Sequence, residues 1–257
     1  MKLIVKNSKI IRVYDSIDEM PIVNYQKYNK YLLIDSGIGS DINDIDTHIV
    51  RIAKLINSDR REDALKELQN MRQNLYMVNS EISPKYLAFA ALVHSIDGKP
   101  VTDISDNGLK AVLKEIQNVK HSSLLSALAE FKKKVDSELS AYFPGDFENP
   151  KVKEAYDMIK KRTLLVLDSV INEEHDNDRE IEDIDVYLFG MYHPNVFIGS
   201  SSVEIKYDKQ FDNSCILISQ RANLDARSMT VLQFYNVLDI IKKQCEAEAK
   251  LYKKHKV

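Results

Sequence analysis

Apolar residues recur every three or four positions along most of this chain, which is the spacing of an amphipathic α-helix. Two such runs stand close together in the first third: Ile42, Ile45, Ile49, Ile52 and Ile56, then Leu68, Met71, Leu75, Val78 and Ile82. A short polar loop, residues 57–61, lies between the two runs. The sequence therefore predicts an antiparallel pair of helices built on these two apolar seams.

The N-terminal residues show a different pattern. Residues 3–5 and 10–13 are short β-branched runs on either side of a polar turn, which predicts a small β-hairpin. Residues 24–35 return to helical spacing, and Gly37 and Gly39 follow them. Glycine commonly ends a helix because it adopts positive φ without strain.

Three more helical regions are expected in the middle of the chain. Residues 83–96 are apolar on nearly every side of a helix, so we expect this helix to be central and buried. Residues 97–100 (DGKP) break the pattern, and a short helix is expected at 109–116. Long amphipathic runs at 124–142 and 152–170, with a turn at residues 143–146, predict a second helical hairpin.

The last third contains an acidic stretch and a well-specified final helix. Residues 173–185 are acidic and poor in large apolar side chains, which predicts a solvated linker. Residues 186–199 fit either two short strands or an aromatic-rich helix and turn, because short apolar runs do not distinguish them. The final helix, with its apolar face at 231–245, begins with a predicted capping box formed by Thr230 and Gln233.

These patterns predict a mainly α fold with a small N-terminal β-hairpin and an option of short strands near 186–199. We divide the chain into four expected segments: a hairpin and helical domain at 1–97, a helical domain with a long hairpin at 98–172, an acidic linker at 173–185, and a C-terminal helical segment at 186–257.

Composition narrows the class of protein. The chain has 257 residues but only 7 glycines and 6 prolines, which favours long helices over many turns. The formal net charge of −3 shows no basic excess of the kind that nucleic-acid-binding proteins carry. The two cysteines, Cys215 and Cys245, match neither a metal pair nor a disulfide framework, which predicts synthesis in a reducing, intracellular compartment. No apolar run approaches the ~18 residues of a spanning helix, so no membrane partner is expected.

The sharpest match to a ligand-binding motif is residues 103–108 (DISDNG), which have oxygen-bearing residues at loop positions 1, 3 and 5 and glycine at position 6. A calcium-binding loop needs a bidentate glutamate at position 12, where this chain has Lys114. We therefore interpret this stretch as the beginning of a helix.

Other candidate sites are weaker still. Gly37 and Gly39 lack the third glycine of a dinucleotide-binding loop, and the acidic residues at 173–178 have no second ligand cluster to complete a metal site. The histidines lie in different predicted elements: His48, His94, His121, His175, His193 and His255. The C-terminal lysines at 250–256 suit the negative end of a helix dipole. We assign no catalytic, cofactor-binding or metal-binding residue and expect no cofactor and no enzyme activity.

Two stretches resemble a known group of proteins. Residues 12–21 (RVYDSIDEMP), 25–35 (YQKYNKYLLID) and 36–41 (SGIGSD), together with 230–235 (TVLQFY), are similar to virion structural proteins of tailed bacteriophages, including crAss-like phages. The resemblance implies a non-enzymatic part of the particle that forms an oligomeric ring in the portal, neck or tail. Its partners would be further copies of itself and other portal, neck or tail proteins. It would be synthesised in the host bacterial cytoplasm and located in the tail or neck region of the virion.

Three alternatives remain at this level. The lysine-rich helix ends fit a DNA-binding or packaging accessory protein, although the charge balance does not favour a nucleic-acid partner. Scattered acidic residues allow a metal-dependent helical enzyme. An assembly chaperone or scaffold that is absent from the mature virion would share the same amphipathic helices.

Overall fold

The computed structural model describes residues 1–6, 9–80, 83–116, 121–144, 150–172 and 176–254, and within these ranges the protein is mainly α-helical, as predicted. The helices in chain order are α1 (Ile22–Ile38), α2 (Asn43–Asn57), α3 (Arg61–Asn79), α4 (Pro84–Ala91), α5 (Asp106–Glu115), α6 (His121–Tyr142), α7 (Pro150–Ile171), α8 (Asp178–Met191), α9 (Val203–Ala222) and α10 (Val231–Lys254). A single 3₁₀ turn, Ala226–Ser228, precedes α10 in the described chain.

The predicted N-terminal hairpin forms and is part of a larger antiparallel sheet. Its strands are β1 (Lys2–Lys6), β2 (Lys9–Val13), β3 (Val93–Ile96) and the two-residue β4 (Lys99–Pro100), paired in that order. The prediction of one helix over 83–96 is thus wrong in its second half: α4 ends at Ala91, and Ile96 pairs with Ile11 of β2. Asp97 and Gly98 have positive φ and turn the chain into β4, a conformation that suits glycine.

The core of the main compact unit lies around α1. Its inward side carries three tyrosines, Tyr25, Tyr28 and Tyr31, all less than a tenth exposed. The Tyr28 ring meets Phe131 of α6 edge-to-face with centroids 5.1 Å apart. Asn24, also buried, donates from Nδ2 to the carbonyl oxygen of Ala91 at 3.0 Å, which ties α1 to the end of α4. Aromatic burial and directed hydrogen bonds therefore hold α1 at the centre.

The beginning of α1 is joined to the beginning of α10, far away in sequence. The Ile22 N–H donates to the Met229 carbonyl and the Val231 N–H donates to the Met20 carbonyl, both at 2.9 Å. The predicted capping box at the start of α10 is confirmed: Thr230 N–H donates to Gln233 Oε1, and Gln233 N–H donates to Thr230 Oγ1. The two stretches that carry the phage resemblance thus pack against each other.

The predicted αα-hairpin of α2 and α3 is also confirmed. The Arg60 N–H donates to the Leu55 carbonyl at 2.9 Å and closes the loop between the two helices. The side chains that face inward, however, differ from the predicted seams. Ile42, Ile49 and Ile56 are more than half exposed, and Ile82 lies outside the described residues.

The chain divides into two compact units, which differ from the four segments expected from sequence. Unit 1 comprises residues 1–136 and 195–257, and unit 2 comprises residues 137–194. Both ends of the sequence contribute to unit 1 because α1 and α10 begin side by side.

In unit 2, α7 packs against α8. Arg162 of α7 makes a two-pronged ion pair with Asp185 of α8, Nε to Oδ1 at 2.6 Å and Nη2 to Oδ2 at 3.0 Å. The expected acidic linker at 173–185 is corrected here, since residues 178–185 are helical. Of the two options for 186–199, the structure shows the helix and turn and no strand: α8 runs to Met191. The turn predicted at residues 143–146 falls partly outside the described residues.

Candidate functional site

The most unusual surface of unit 1 is an apolar stripe along the outer side of α2. Ile42, Ile49 and Ile56 are 66%, 52% and 57% exposed. Residues seven apart are two helical turns apart, so these three side chains lie on one side of the helix over about 21 Å. Val50, also more than half exposed, lies beside them. We refer to Ile42, Ile49, Val50 and Ile56 as the α2 stripe.

The neighbouring helix exposes a second group of large apolar side chains. On α3 these are Leu65, Leu68, Leu75 and Tyr76, each more than two fifths exposed. Arg72, also exposed, lies among them. The outer side of the hairpin thus exposes eight large apolar side chains, with polar residues such as Arg72 among them.

The inner side of the same hairpin is polar. Besides the apolar Leu55 and Ala64, its buried residues are His48 on α2 and Glu67, Asn70 and Asn74 on α3, and each of these four is no more than 2% exposed. The three α3 residues recur at helical spacing and form one face. Sequence analysis missed this face because a polar stripe on an amphipathic helix ordinarily faces solvent.

His48 and Glu67 form the centre of this buried network. The His48 ring contacts Glu67 Oε1 through Nδ1 at 2.8 Å and the Ile38 carbonyl oxygen through Nε2 at 2.9 Å. A carbonyl oxygen only accepts, so Nε2 carries a proton, and a second proton is needed between Nδ1 and the carboxylate. Desolvation lowers the pKa of His48, but the hydrogen bonds to Glu67 and Ile38 together outweigh it and raise the pKa above its usual value.

The asparagines connect the hairpin to two further segments. Asn70 Nδ2 donates to the Asn195 carbonyl at 2.9 Å, and Asn74 Nδ2 donates to the Asp41 carbonyl at 3.3 Å. Arg51 adds an ion pair to Glu67, 3.5 Å from Nη1 to Oε1. These hydrogen bonds hold the side of the hairpin that carries His48 and Asn70 against the rest of unit 1. The side that carries the α2 stripe therefore faces solvent.

Unit 2 has a comparable apolar surface on α7. The side facing α8 contains Met158, Arg162 and Leu165, which are half-buried. The opposite side is exposed and carries Tyr156, Ile159, Leu164, Val166, Leu167, Val170 and Ile171. We refer to Tyr156, Ile159, Val166, Leu167 and Val170, with the exposed Thr163 between them, as the α7 stripe. This is most of the seam from which the long hairpin was predicted. That expectation is corrected here, because α7 packs on α8 with its other side and leaves this seam exposed.

The motif at 103–108 forms the start of α5, as interpreted from sequence. Ser105 Oγ accepts from the Gly108 N–H at 3.2 Å and caps the helix. Asp106 Oδ1 accepts from Lys27 Nζ and from the Tyr31 hydroxyl, both at 2.8 Å. The Lys27 ammonium, followed by the Tyr31 hydroxyl, outweighs desolvation and lowers the pKa of Asp106. Asp106 Oδ1 is thus engaged by a cation and a hydroxyl within the protein.

The glycine pair ends α1. Gly39 has φ of 75° and follows the last helical residue, as expected of a helix-ending glycine. A Cβ at Gly37 would lie 2.2 Å from the Phe197 ring, so only glycine fits beneath that ring. Neither glycine belongs to a phosphate-binding loop in this fold, because Gly37 lies in the last turn of α1 and Gly39 lies between α1 and α2.

The other candidates from the sequence do not converge. His94, in β3, packs edge-to-face on Tyr14, and His193 lies in unit 2. Residues 173–175 and 255–257, with His175 and His255, lie outside the described residues. Within the described ranges, no three His, Cys, Asp or Glu side chains are grouped closely enough to hold a metal ion.

Cys215 lies beside an open groove, but its surroundings do not favour a reactive thiolate. An open groove of about 570 Å³ is lined by Cys215, Asp212 and Arg227, among others. Arg227 is paired with Asp212 at 2.7 Å, and burial, the largest influence, raises the pKa of the Cys215 thiol. A raised thiol pKa leaves little thiolate at neutral pH, whereas catalytic cysteines require the thiolate.

Across the described part of the chain, none of the helices combines the length and apolar character needed to cross a bilayer. In comparisons with known proteins, the chain matches no family model, no curated protein and no solved structure.

Proposed function

We propose that this protein is a non-enzymatic structural component of a tailed bacteriophage particle, and that it assembles into an oligomeric ring in the portal, neck or tail. The observation that carries this proposal is the pair of exposed apolar stripes, one on α2 in unit 1 and one on α7 in unit 2. The resemblance of residues 12–41 and 230–235 to phage virion proteins supports the location.

The stripes favour a protein surface as partner. Soluble monomers rarely expose contiguous apolar patches larger than a few hundred Å². Burying apolar surface contributes about 25 cal/mol per Å², so a side chain such as Ile49 gains by being covered. Its neighbours on the outer side of the hairpin are also apolar, so one partner helix covers several of them at once.

A ring also needs two different contact faces on each subunit. Head-to-tail contacts close into rings, whereas a single self-complementary face gives only a pair. The α2 stripe and the α7 stripe differ in sequence and lie in different compact units. They supply the two faces that such a contact requires.

The experiment begins with the purified full-length chain. Mass photometry across a concentration series, followed by negative-stain imaging, is expected to show a closed ring of defined mass. Ile49→Asp is expected to reduce assembly at least tenfold because it places a charge in the α2 stripe. The matched control is Ile240→Asp on α10, which alters an equally exposed isoleucine outside both stripes. A monomer at every concentration contradicts the proposal.

A second measurement concerns the location. Mass spectrometry of purified virions, or density for this chain in a particle reconstruction, is expected to find it in the portal, neck or tail. An oligomer that occurs in infected cells but is absent from virions would instead identify an assembly chaperone or scaffold.

A further inference from the structure

We infer that the α2 stripe of one copy binds the α7 stripe of a neighbouring copy as an antiparallel helix pair. This inference rests on the proposed function, since it names the contact through which copies would assemble. Three features point to this partner surface: the spacing of the apolar positions, the charge beside each stripe, and the fact that neither charge has an ion-pair partner among the described residues.

The spacing of the two surfaces matches position for position. Each stripe lies on a seam of five positions separated by three, four, three and four residues: 42, 45, 49, 52 and 56 on α2, and 156, 159, 163, 166 and 170 on α7. Both are therefore two heptads long, and this spacing supports knobs-into-holes packing between two helices. On α2, Ile45 and Ile52 are half-buried and would form the inner edge of the contact.

Each surface also carries one charged residue at the same heptad position. Asp46 follows Ile42 by four residues, and Lys160 follows Tyr156 by four residues. Both side chains are exposed, and neither has an ion-pair partner among the described residues. In an antiparallel helix pair, residues at this heptad position lie opposite each other, and such flanking charges set partner choice.

Charge therefore selects between the possible pairings. Two α2 stripes would bring Asp46 against Asp46, and two α7 stripes would bring Lys160 against Lys160, both repulsive. Pairing α2 with α7 brings Asp46 near Lys160 and is the attractive combination. The register that does so also aligns Ile49 with Ile159. The contact is then head-to-tail, as a ring requires.

The first test exchanges the charges. Asp46→Lys alone and Lys160→Asp alone are each expected to raise the concentration for half-assembly about tenfold at low salt. The double variant is expected to restore assembly because the attraction returns with reversed signs. Glu246→Lys on α10 is the matched control for an exposed acid changed to lysine. Far-ultraviolet circular dichroism of each variant checks that the helices remain folded.

The second test locates the contact by crosslinking. In a background with Cys215 and Cys245 changed to serine, Ile49→Cys and Ile159→Cys are placed on separate chains of different mass and mixed under oxidising conditions. A disulfide between the two different chains is expected, and neither chain alone is expected to form it. Ile240→Cys in place of Ile49→Cys is the control.

The outcomes separate the inference from the proposed function. A wild-type ring that tolerates the single charge changes and gives no mixed disulfide overturns the inference and leaves the proposed function standing. A further chain carries both Ile49→Cys and Ile159→Cys; if it forms a disulfide within itself while the mixed single-cysteine chains form none, the contact lies within the subunit and the inference is overturned. A wild-type chain that stays monomeric overturns the proposed function together with this contact.

Discussion

The region around α1 and the α2–α3 hairpin belong to the same compact unit but are built in opposite ways. Around α1, aromatic and aliphatic side chains such as Tyr28 and Phe89 face inward and are almost fully buried. In the hairpin, the fully buried positions include His48 and Glu67, while Ile49 and Leu68 face outward. Apolar burial dominates the first region, where Asn24 adds one buried polar contact, whereas the second region buries a network of directed polar contacts beside Leu55.

This difference explains how the α2–α3 hairpin can leave large apolar side chains exposed to solvent instead of burying them against the body of unit 1. Hydrophobic burial has no preferred direction, so an amphipathic hairpin held by that force alone would turn its isoleucines inward. Hydrogen bonds are directional, and leaving a buried donor or acceptor unpaired is costly. The His48–Glu67 network thus fixes which side of the hairpin faces the body.

Loss of a buried ring in the α1 region should have the largest effect. Phe89 on α4 is 1% exposed, so Phe89→Ala is expected to lower the free energy of unfolding by about 3–5 kcal/mol. Urea unfolding followed by circular dichroism measures the change. The control is Tyr76→Ala on α3, where the ring is 67% exposed and a change within about 0.5 kcal/mol is expected. Equal losses in the two variants would contradict the contrast between the regions.

Breaking the buried polar network should come next. Glu67→Ala leaves His48 without its carboxylate and is expected to cost about 3 kcal/mol, the lower end for a buried ion pair, because the imidazole can release its proton. Glu62→Ala, at an exposed position on the same helix, is the control. A loss as small as that of the control would show that the network does not hold the hairpin.

The same network predicts a pH dependence of stability. The pKa of His48 is raised in the folded protein by its hydrogen bonds to Glu67 and Ile38, against the opposing effect of desolvation. Its contribution is therefore complete below the unfolded value of about 6.5 and is lost as pH rises through the folded pKa. Urea unfolding at pH 6 and pH 9 should show a larger loss on the alkaline side for the wild type than for His48→Gln. Parallel pH profiles would exclude this role.

The smallest effect on stability is expected on the outer side of the hairpin. Ile49→Ser should change the free energy of unfolding by no more than about 0.5 kcal/mol when measured on the monomer, because the side chain is already exposed. Ile11→Ser in β2, where the side chain is fully buried, is the matched comparison and should be strongly destabilising. A large loss at Ile49 would mean that the α2 stripe is part of the fold.

The sequence predicted the helices well, because their 3–4 spacing is repeated over several turns. It predicted the wrong end for α4, since residues 84–91 and the strand Val93–Ile96 form one apolar run and periodicity does not separate them. Asp97 and Gly98, which follow this run, predict a break in the helix, but their pattern does not show that they form the turn between two strands.

The orientation of the hairpin was beyond sequence reasoning for a different reason. Spacing identifies two sides of a helix, but it does not say which side faces the body. Here the inner side is set by partners distant in sequence, such as the Asn195 carbonyl that accepts from Asn70. Only the assembled fold places these groups together. The candidate stripes were therefore found as seams, but their exposure was not predicted.

The joining of α1 to α10 also affects synthesis of the protein. The backbone bonds between Met20 and Val231 and between Ile22 and Met229 unite segments about two hundred residues apart. During translation α1 is made early, whereas α10, which packs against it, is made only after all of unit 2 has been synthesised. The nascent α1 therefore cannot form its contacts with α10 until the end of synthesis. A chain that is truncated before residue 229 would lack both backbone hydrogen bonds.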